Sequence, residues 1–244
     1  MTEIKILIVI LFLIPPLNSY SQKVPGLSTG KGFSITPQIT YVSSATIQLA
    51  PFSADLLEKS SSEELSGGYG YGLTIRKKLF REDITFGISA EYISIKDNEL
   101  VQSFSNDSLT VRVRVTEELT VIPVEFNGYF NLPEFSENLK IYLGGGVGVY
   151  FGDRKRSVLN ISSSTISKNI GFSLVVISGM EYKLSDDISG VFEIKFREAE
   201  YKVKSEYPVA SININNVNYP LEKELYSKIF VDGLKLSIGI SYNF

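Results

Sequence analysis

The sequence predicts an all-β fold, an eight-stranded antiparallel up-and-down transmembrane β-barrel preceded by a cleaved signal peptide. Three observations carry this. Apolar and polar residues alternate with period two through eight segments. The apolar sets end repeatedly in aromatic residues. The connections between segments alternate between short and long. Mean hydropathy is only +0.08, too low for a bundle of membrane helices, each of which needs about 20 apolar residues in a row. A membrane barrel stays low because half of every strand is polar.

The first element is an exported leader. An apolar run over residues 6–14 follows Lys5 and precedes Pro15 and Pro16, and then come Asn18, Ser19, Tyr20, Ser21 and Gln22. A charged start, a short apolar core and small residues spaced as Ser-x-Ser read as a secretory signal peptide over residues 1–21. Cleavage is expected between Ser21 and Gln22, leaving a single barrel domain over residues 22–244 in the outer membrane.

Eight strands follow in order. The first, over 32–42, sets Phe33, Ile35, Ile39 and Tyr41 against Ser34, Thr36, Gln38 and Thr40. Pro37 weakens it and belongs beside a bulge or at a poorly paired position, because Pro cannot donate to a ladder. The second, 68–79, opposes Tyr69, Tyr71, Leu73 and Ile75 to Gly70, Gly72, Thr74, Arg76 and Lys78. After a turn at Arg81, Glu82 and Asp83, the third carries Ile84, Phe86, Ile88, Ala90 and Tyr92. The fourth ends near Phe130, with Ile122, Val124, Phe126 and Phe130 opposed to Pro123, Glu125, Asn127 and Tyr129. Upstream of it, residues 111–115 (Val-Arg-Val-Arg-Val) alternate in the opposite parity, so a bulge or break is expected near Glu117 and Glu118.

The fifth strand, 140–152, has Ile141, Leu143, Val147, Val149 and Phe151 on one face and Gly144, Gly146 and Gly148 on the other. The sixth covers 169–184 and the seventh 188–203. The last alternates from Leu234 to Phe244. Connections after the first, third, fifth and seventh strands are long and rich in Ser, Asn, Asp and Glu, as expected of outward loops. One helical turn is expected at residues 55–59.

The non-aromatic face is the interior. Eight strands leave a lumen that side chains just fill, and its glycines relieve crowding. Its charges are Arg76, Lys78, Lys195 and Arg197 with Glu91, Glu125, Glu181 and Glu193. A basic residue facing lipid at mid-depth costs about 2–4 kcal/mol, whereas opposite charges inside a narrow barrel can pair. A network of Arg76, Glu91, Glu125, Glu181, Glu193 and Lys195 is therefore expected, with Lys78 and Arg197 at strand ends in water. A selective pore would call for rings of one sign.

The composition also excludes. The chain has no Cys and no His. Disulfides and thiolate metal sites are impossible, and the commonest general base and transition-metal ligand is missing. No cofactor, metal or catalytic residue is expected. The net charge of −3 and scattered basic residues give no nucleic-acid footprint. Arg154, Lys155 and Arg156 read as a solvated loop. Glu63 with Glu64 and Asp186 with Asp187 read as solvated carboxylates.

Residues 121–130 (Val-Ile-Pro-Val-Glu-Phe-Asn-Gly-Tyr-Phe), a turn, and residues 141–151 (Ile-Tyr-Leu-Gly-Gly-Gly-Val-Gly-Val-Tyr-Phe) resemble the central hairpin of the PorT-like, porin-like outer-membrane β-barrel family. Residues 179–185 and the closing Ser-Tyr-Asn-Phe are similar to its later strands. The resemblance implies an accessory part of a secretion system and carries no catalytic residues. Tyr242 and Phe244 resemble the terminal signal read by the barrel-assembly machinery.

Two functions are expected from different classes. One is a structural or interaction platform whose long loops meet protein partners while its wall meets outer-membrane lipid. The other is a small transport barrel for small or apolar solutes, hinted at by Val175 and Ile177 on the inner face. A third reading, a soluble periplasmic lipid-binding barrel, requires the aromatic face to turn inward.

Overall fold

A computed structural model of the chain describes residues 32–79, 83–106, 109–133, 136 and 138–244. The expected signal peptide with Ser21 and Gln22 lies outside the described residues, as do Arg81 and Glu82 of the second turn.

The strands are β1 (Phe33–Gln48), β2 (Ser62–Lys78), β3 (Ile84–Ser105), β4 (Thr110–Asn131), β5 (Leu139–Val158), β6 (Ile161–Ser162), β7 (Ser164–Lys168), β8 (Gly171–Lys183), β9 (Ile188–Glu206), β10 (Ser211–Ile214), β11 (Val217–Pro220), β12 (Glu224–Phe230) and β13 (Leu234–Asn243). One helical turn, α1 (Leu56–Lys59), interrupts the connection after β1; Asp55 caps it, accepting from the Leu57 N–H at 2.9 Å.

Eight of the strands close a ring. β1, β2, β3, β4, β5, β8, β9 and β13 pair antiparallel in that order, and β13 returns to β1 through Ile39 opposite Ile238. The connections after β2, β4 and β8 are short, as the alternation of loop lengths predicts. Pro37 pairs with Leu73 on β2 but lies in a gap of the β1–β13 register, between Ile35 and Gln38. The register is the same on both sides of that gap, so Pro37 stands opposite Ile240 and its missing N–H is what interrupts the β1–β13 ladder there.

The aromatic and aliphatic face points out all round the ring. Ile39, Leu174 and Ile238 are 69%, 71% and 67% exposed. The outward apolar band runs over residues 33–41, 84–92, 122–130, 143–151, 188–196 and 234–242, nine residues on each of these strands. That is the length of a tilted crossing, roughly 9–11 residues. Stacked rings mark the rims: Phe33 on Phe244, Tyr71 on Tyr92 and Tyr242 on Phe244. The outward orientation overturns the soluble lipid-binding reading, which needed this surface inside.

Two expectations about the upper region are corrected. First, the long connections are largely strand. β3 continues thirteen residues past Tyr92, and β4 begins at Thr110, so only four residues separate the two strands. At ~3.3 Å per residue along strands tilted by about 45°, such an extension rises about 30 Å beyond the lipid band. The connections after β5 and β9 likewise contain β6, β7 and the β10–β11 hairpin. Asn215 and Asn216 turn that hairpin at φ 52° and 64°, the left-handed pair a tight primed turn demands.

Second, β4 has no parity break near Glu117. Its inward positions run without interruption through Val115, Glu117, Leu119, Val121, Pro123 and Glu125. What inverts is chemistry. Below Val121 the outside is lipid and the inside polar; above it the outside is water and the inside dry. The bulge lies on the neighbouring strand, where the β3–β4 register slips between Asp97 and Leu100.

Candidate functional site

The interior is built in layers, and its chemistry follows from which strands carry which inward residue. Near the end of the short turns, Tyr129, Tyr142, Val175 and Ile177 pack together. Val175 and Ile177 are thus inward, but as part of a packed floor and not of an open patch.

Above them lies the charged layer. Arg76 of β2 pairs with Glu193 of β9 and donates to the Tyr142 hydroxyl at 3.1 Å. Its guanidinium sits over the rings of Tyr129 and Tyr142, at 4.3 and 4.8 Å. Lys195 donates to Glu125 at 3.2 Å and lies 3.8 Å from Glu193 and 3.9 Å from Glu91. Glu91 accepts from Lys235 and from the Gln38 amide at 3.0 Å. Tyr150 donates to Glu125 at 2.7 Å.

Five of the six residues expected in the network, Arg76, Glu91, Glu125, Glu193 and Lys195, therefore converge. Glu181 does not. It is half-buried at the short-turn end opposite Val191, and no ion pair joins it to the layer among the described residues. Arg197, expected at a strand end in water, is only 3% exposed. It faces Glu91 and Glu125 at 4.0 Å, with the Tyr150 ring 5.6 Å away. The reason is that β9 continues to Glu206, so Arg197 is mid-strand. Lys78 is exposed at the end of β2, as its position predicts. Lys235 escaped the sequence reading, although it alternates with the outward Leu234 and Leu236; that parity was the available signal. With Lys235, four buried cations meet three buried carboxylates in this layer.

The next layer is apolar. Val42, Ala45, Ile47, Leu65, Ile93, Ile95, Leu119, Val121, Tyr201, Val203, Ile229 and Val231 fill the barrel where it leaves the lipid band. A second ionic layer tops it. Glu117, wholly buried, takes Arg154 through both carboxylate oxygens, at 2.6 and 3.1 Å, and also Arg156. Arg156 reaches Glu63 at 2.6 Å and Gln102 at 3.1 Å; Arg154 also donates to Ser227. Arg154 and Arg156 are thus not a solvated loop. They are inward residues of β5, with Lys155 between them facing out. Glu63 is likewise inward and Glu64 outward, so only Glu64 is solvated as expected.

A third apolar cluster closes the top. Phe104, Val115 and Val158 of the long strands meet Tyr207, Ile212, Tyr219 and Leu221, contributed by the β10–β11 hairpin and its flanks. Around the outside of this extension runs a belt of water-facing ion pairs: Lys96 with Glu118, Lys168 with Asp153, Lys204 with Glu224 and Lys228 with Glu200. Each pair contributes little, about 0–1 kcal/mol, but together they make this part of the outer surface incompatible with lipid.

No group of His, Cys, Asp and Glu able to hold a metal occurs among the described residues. Asp186 sits in the turn after β8, paired with Lys183 at 2.8 Å. The closed ring, the lipid-facing band and the packed polar interior define the class: a small outer-membrane β-barrel.

Solved outer-membrane proteins are similar to this chain. OprG, an outer membrane protein from Pseudomonas aeruginosa, superposes with a TM-score of 0.55 at 13% identity, covering 88% of this chain and 97% of that one. Neisserial surface protein A (NspA) gives 0.45 at 13% identity, over 89% and 100% of the two chains. Ail, the attachment invasion locus protein of Yersinia pestis, gives 0.40 at 14%, over 88% and 99%. No family model and no curated protein matches the sequence.

Proposed function

We propose that this chain is a non-enzymatic outer-membrane barrel that works as a rigid interaction platform. It holds a folded β extension above the outer leaflet, as an accessory component of a secretion or surface assembly of the kind its PorT-like segments suggest. One observation carries the reading: the interior is sealed twice above the lipid band by apolar clusters, with a compact ionic layer between them. A conduit for polar solutes has no use for dry plugs, whereas a platform needs the stiffness they supply. The lack of His and Cys removes the usual means of hydrolysis or acyl transfer. Tyr242 and Phe244, outward at the end of β13, are the residues we assign to recognition by the barrel-assembly machinery.

The test is electrical. Full-length protein refolded into planar bilayers is expected to leave conductance at the level of the bare membrane. Reproducible single-channel steps would overturn the platform reading in favour of transport. Because the chain has no Cys, single cysteines at Lys155 or Glu64 would report surface exposure cleanly. Both are expected to react with a membrane-impermeant maleimide on whole cells.

A further inference from the structure

The ring is closed through the lipid band but splits above it. β2 and β3 pair only from Tyr69 opposite Ser94 down to Lys78 opposite Thr85. Yet β2 starts seven residues earlier, at Ser62, and β3 runs on to Ser105. Above the split each strand keeps one neighbour, β1 for β2 and β4 for β3. The cause is local. Asp97 stands where the next ladder partner of Ser66 would be, and the bulge after it carries the β3 backbone away. Its carboxylate takes over the ladder's role, accepting from the Ser66 N–H at 3.1 Å and hydroxyl at 3.0 Å.

Beyond the bulge, no strand among the described residues pairs with the edge of β3 that faces away from β4, although β11 of the capping hairpin comes close to β3. The phase of its pairing with β4 is set at the turn, where the Asn106 N–H donates to the Leu109 carbonyl at 3.0 Å. Gln102 and Phe104 consequently aim their backbone groups at β4, and Val101, Ser103 and Ser105 aim theirs away from it. Exposed edges are ordinarily blunted by charge, proline or a bulge. Here those devices stop at Glu99. Residues 101–105 (Val-Gln-Ser-Phe-Ser) carry none of them. The connection after β1 does not cover this edge; it leans the other way, with Phe52 edge-on to Tyr226 of β12 at 6.0 Å.

On its β4 side the upper part of the edge is flanked by basic residues, while the exposed carboxylates Glu99 and Glu64 of β2 bound its lower end. Arg112 lies opposite Ser103 and Arg114 opposite Val101, both arginines outward and exposed. Neither has an ion-pair partner among the described residues. A strand added to β3 would lie about 9.5 Å from β4, two strand spacings. Only the small Val101 and Ser103 would stand between, and extended arginine side chains reach across them.

We infer that residues 101–105 of β3 are a docking edge for an extended, acidic segment of a partner protein, which adds as a further strand and is read by Arg112 and Arg114. Main-chain bonds would supply the affinity and the two guanidinium groups the choice of partner. The inference rests on the platform reading.

The probes are two capped ten-residue peptides, one alternating Glu with Val and one alternating Lys with Val, added to the full chain refolded in lipid nanodiscs. The Glu-Val peptide is expected to bind and to slow amide exchange at Val101, Ser103 and Ser105. Binding should weaken at least about tenfold in Ser103→Pro, which removes an edge donor without touching the β3–β4 ladder. A combined Arg112→Glu, Arg114→Glu variant should reverse the preference toward the Lys-Val peptide, and it alters only exposed side chains. Absence of protection at the edge, equal binding of both peptides, or undiminished binding to Ser103→Pro would each overturn the inference. So would protection that appears without peptide and grows with protein concentration, which would place a second copy there. Labelling of Ser103→Cys on whole cells separates the two levels. A labelled edge that ignores the peptide sinks the docking inference alone, and an edge unreachable from outside sinks the platform as well.

Discussion

Glu117 ties two buried arginines of the upper extension together. It is wholly buried and neutralises Arg154 and Arg156 together. Glu117→Gln keeps the shape and one acceptor oxygen but leaves two buried guanidinium groups short of a carboxylate. Removing one partner of a buried pair costs about 3–5 kcal/mol. Because the amide retains part of the hydrogen bonding and Arg156 keeps Glu63, about 3 kcal/mol is expected. The chain has no Trp, so amide exchange by mass spectrometry is the suitable readout. About 3 kcal/mol corresponds to roughly a hundredfold faster exchange at about 1.4 kcal/mol per tenfold. The acceleration should be confined to β4 and β5 above the lipid band, with the band itself unchanged. Replacing all three residues by apolar ones (Glu117→Leu, Arg154→Met, Arg156→Met) should recover most of the loss. Exchange within about twofold of the parent in Glu117→Gln would refute the assignment of this layer as a mutually dependent unit.

Three further outcomes are expected. Glu91→Gln removes the carboxylate that pairs with Lys235 and leaves four buried cations with two carboxylates; the urea midpoint, followed by the gel shift between folded and unfolded forms, should fall by the equivalent of about 3 kcal/mol or more. Gly146→Val should assemble poorly, because even a Cβ there meets the Phe126 carbonyl oxygen and Asn127 Oδ1 at 2.2 Å; the fraction migrating as folded barrel measures it, and normal yields would show that β4 and β5 can part. Asp97, above the band, is held below the ordinary aspartate range, mainly by the Glu99 N–H and also by Ser66. A lowered folded-state value means its stabilisation is present at neutral pH and is lost as pH falls through that value. Exchange at Ser66 should therefore accelerate in acid beyond the intrinsic pH trend, and Asp97→Asn should abolish that extra step.

The membrane half of the fold was legible because one rule governs it. Wherever lipid is outside, the apolar residues of a strand share one parity, so Ile84 to Tyr92 on β3 or Leu234 to Tyr242 on β13 could be assigned a face from spelling alone. The same rule misled above the band. Val111, Val113 and Val115 looked out of register with Ile122 and Val124, when in fact the solvent had changed and the backbone had not. Arg154 and Arg156 were opaque for the same reason, since three consecutive charges look like a loop unless β5 is known to continue beneath them. The network was partly legible because its members alternate with lipid-facing neighbours. Glu181 obeys that alternation yet lies too near the short-turn end to reach a cation of the layer. The split between β2 and β3 depends on one carboxylate taking a ladder position, which no periodicity reveals.

The reversal of inside and outside at Val121 bears on how the molecule is put together. The lower half presents grease outward and is at rest only in lipid. The upper half hides its grease and displays Lys96, Glu118, Lys155 and Lys202, so it is at rest only in water. The upper segments must therefore pass the bilayer as unstructured chain and collapse only on the far side, under ordinary hydrophobic burial that has no counterpart between strands surrounded by acyl chains. Once collapsed, the extension is too wide and too charged to be drawn back. Folding of the outer half thus acts as a latch, making insertion directional without any energy source beyond the chain's own burial.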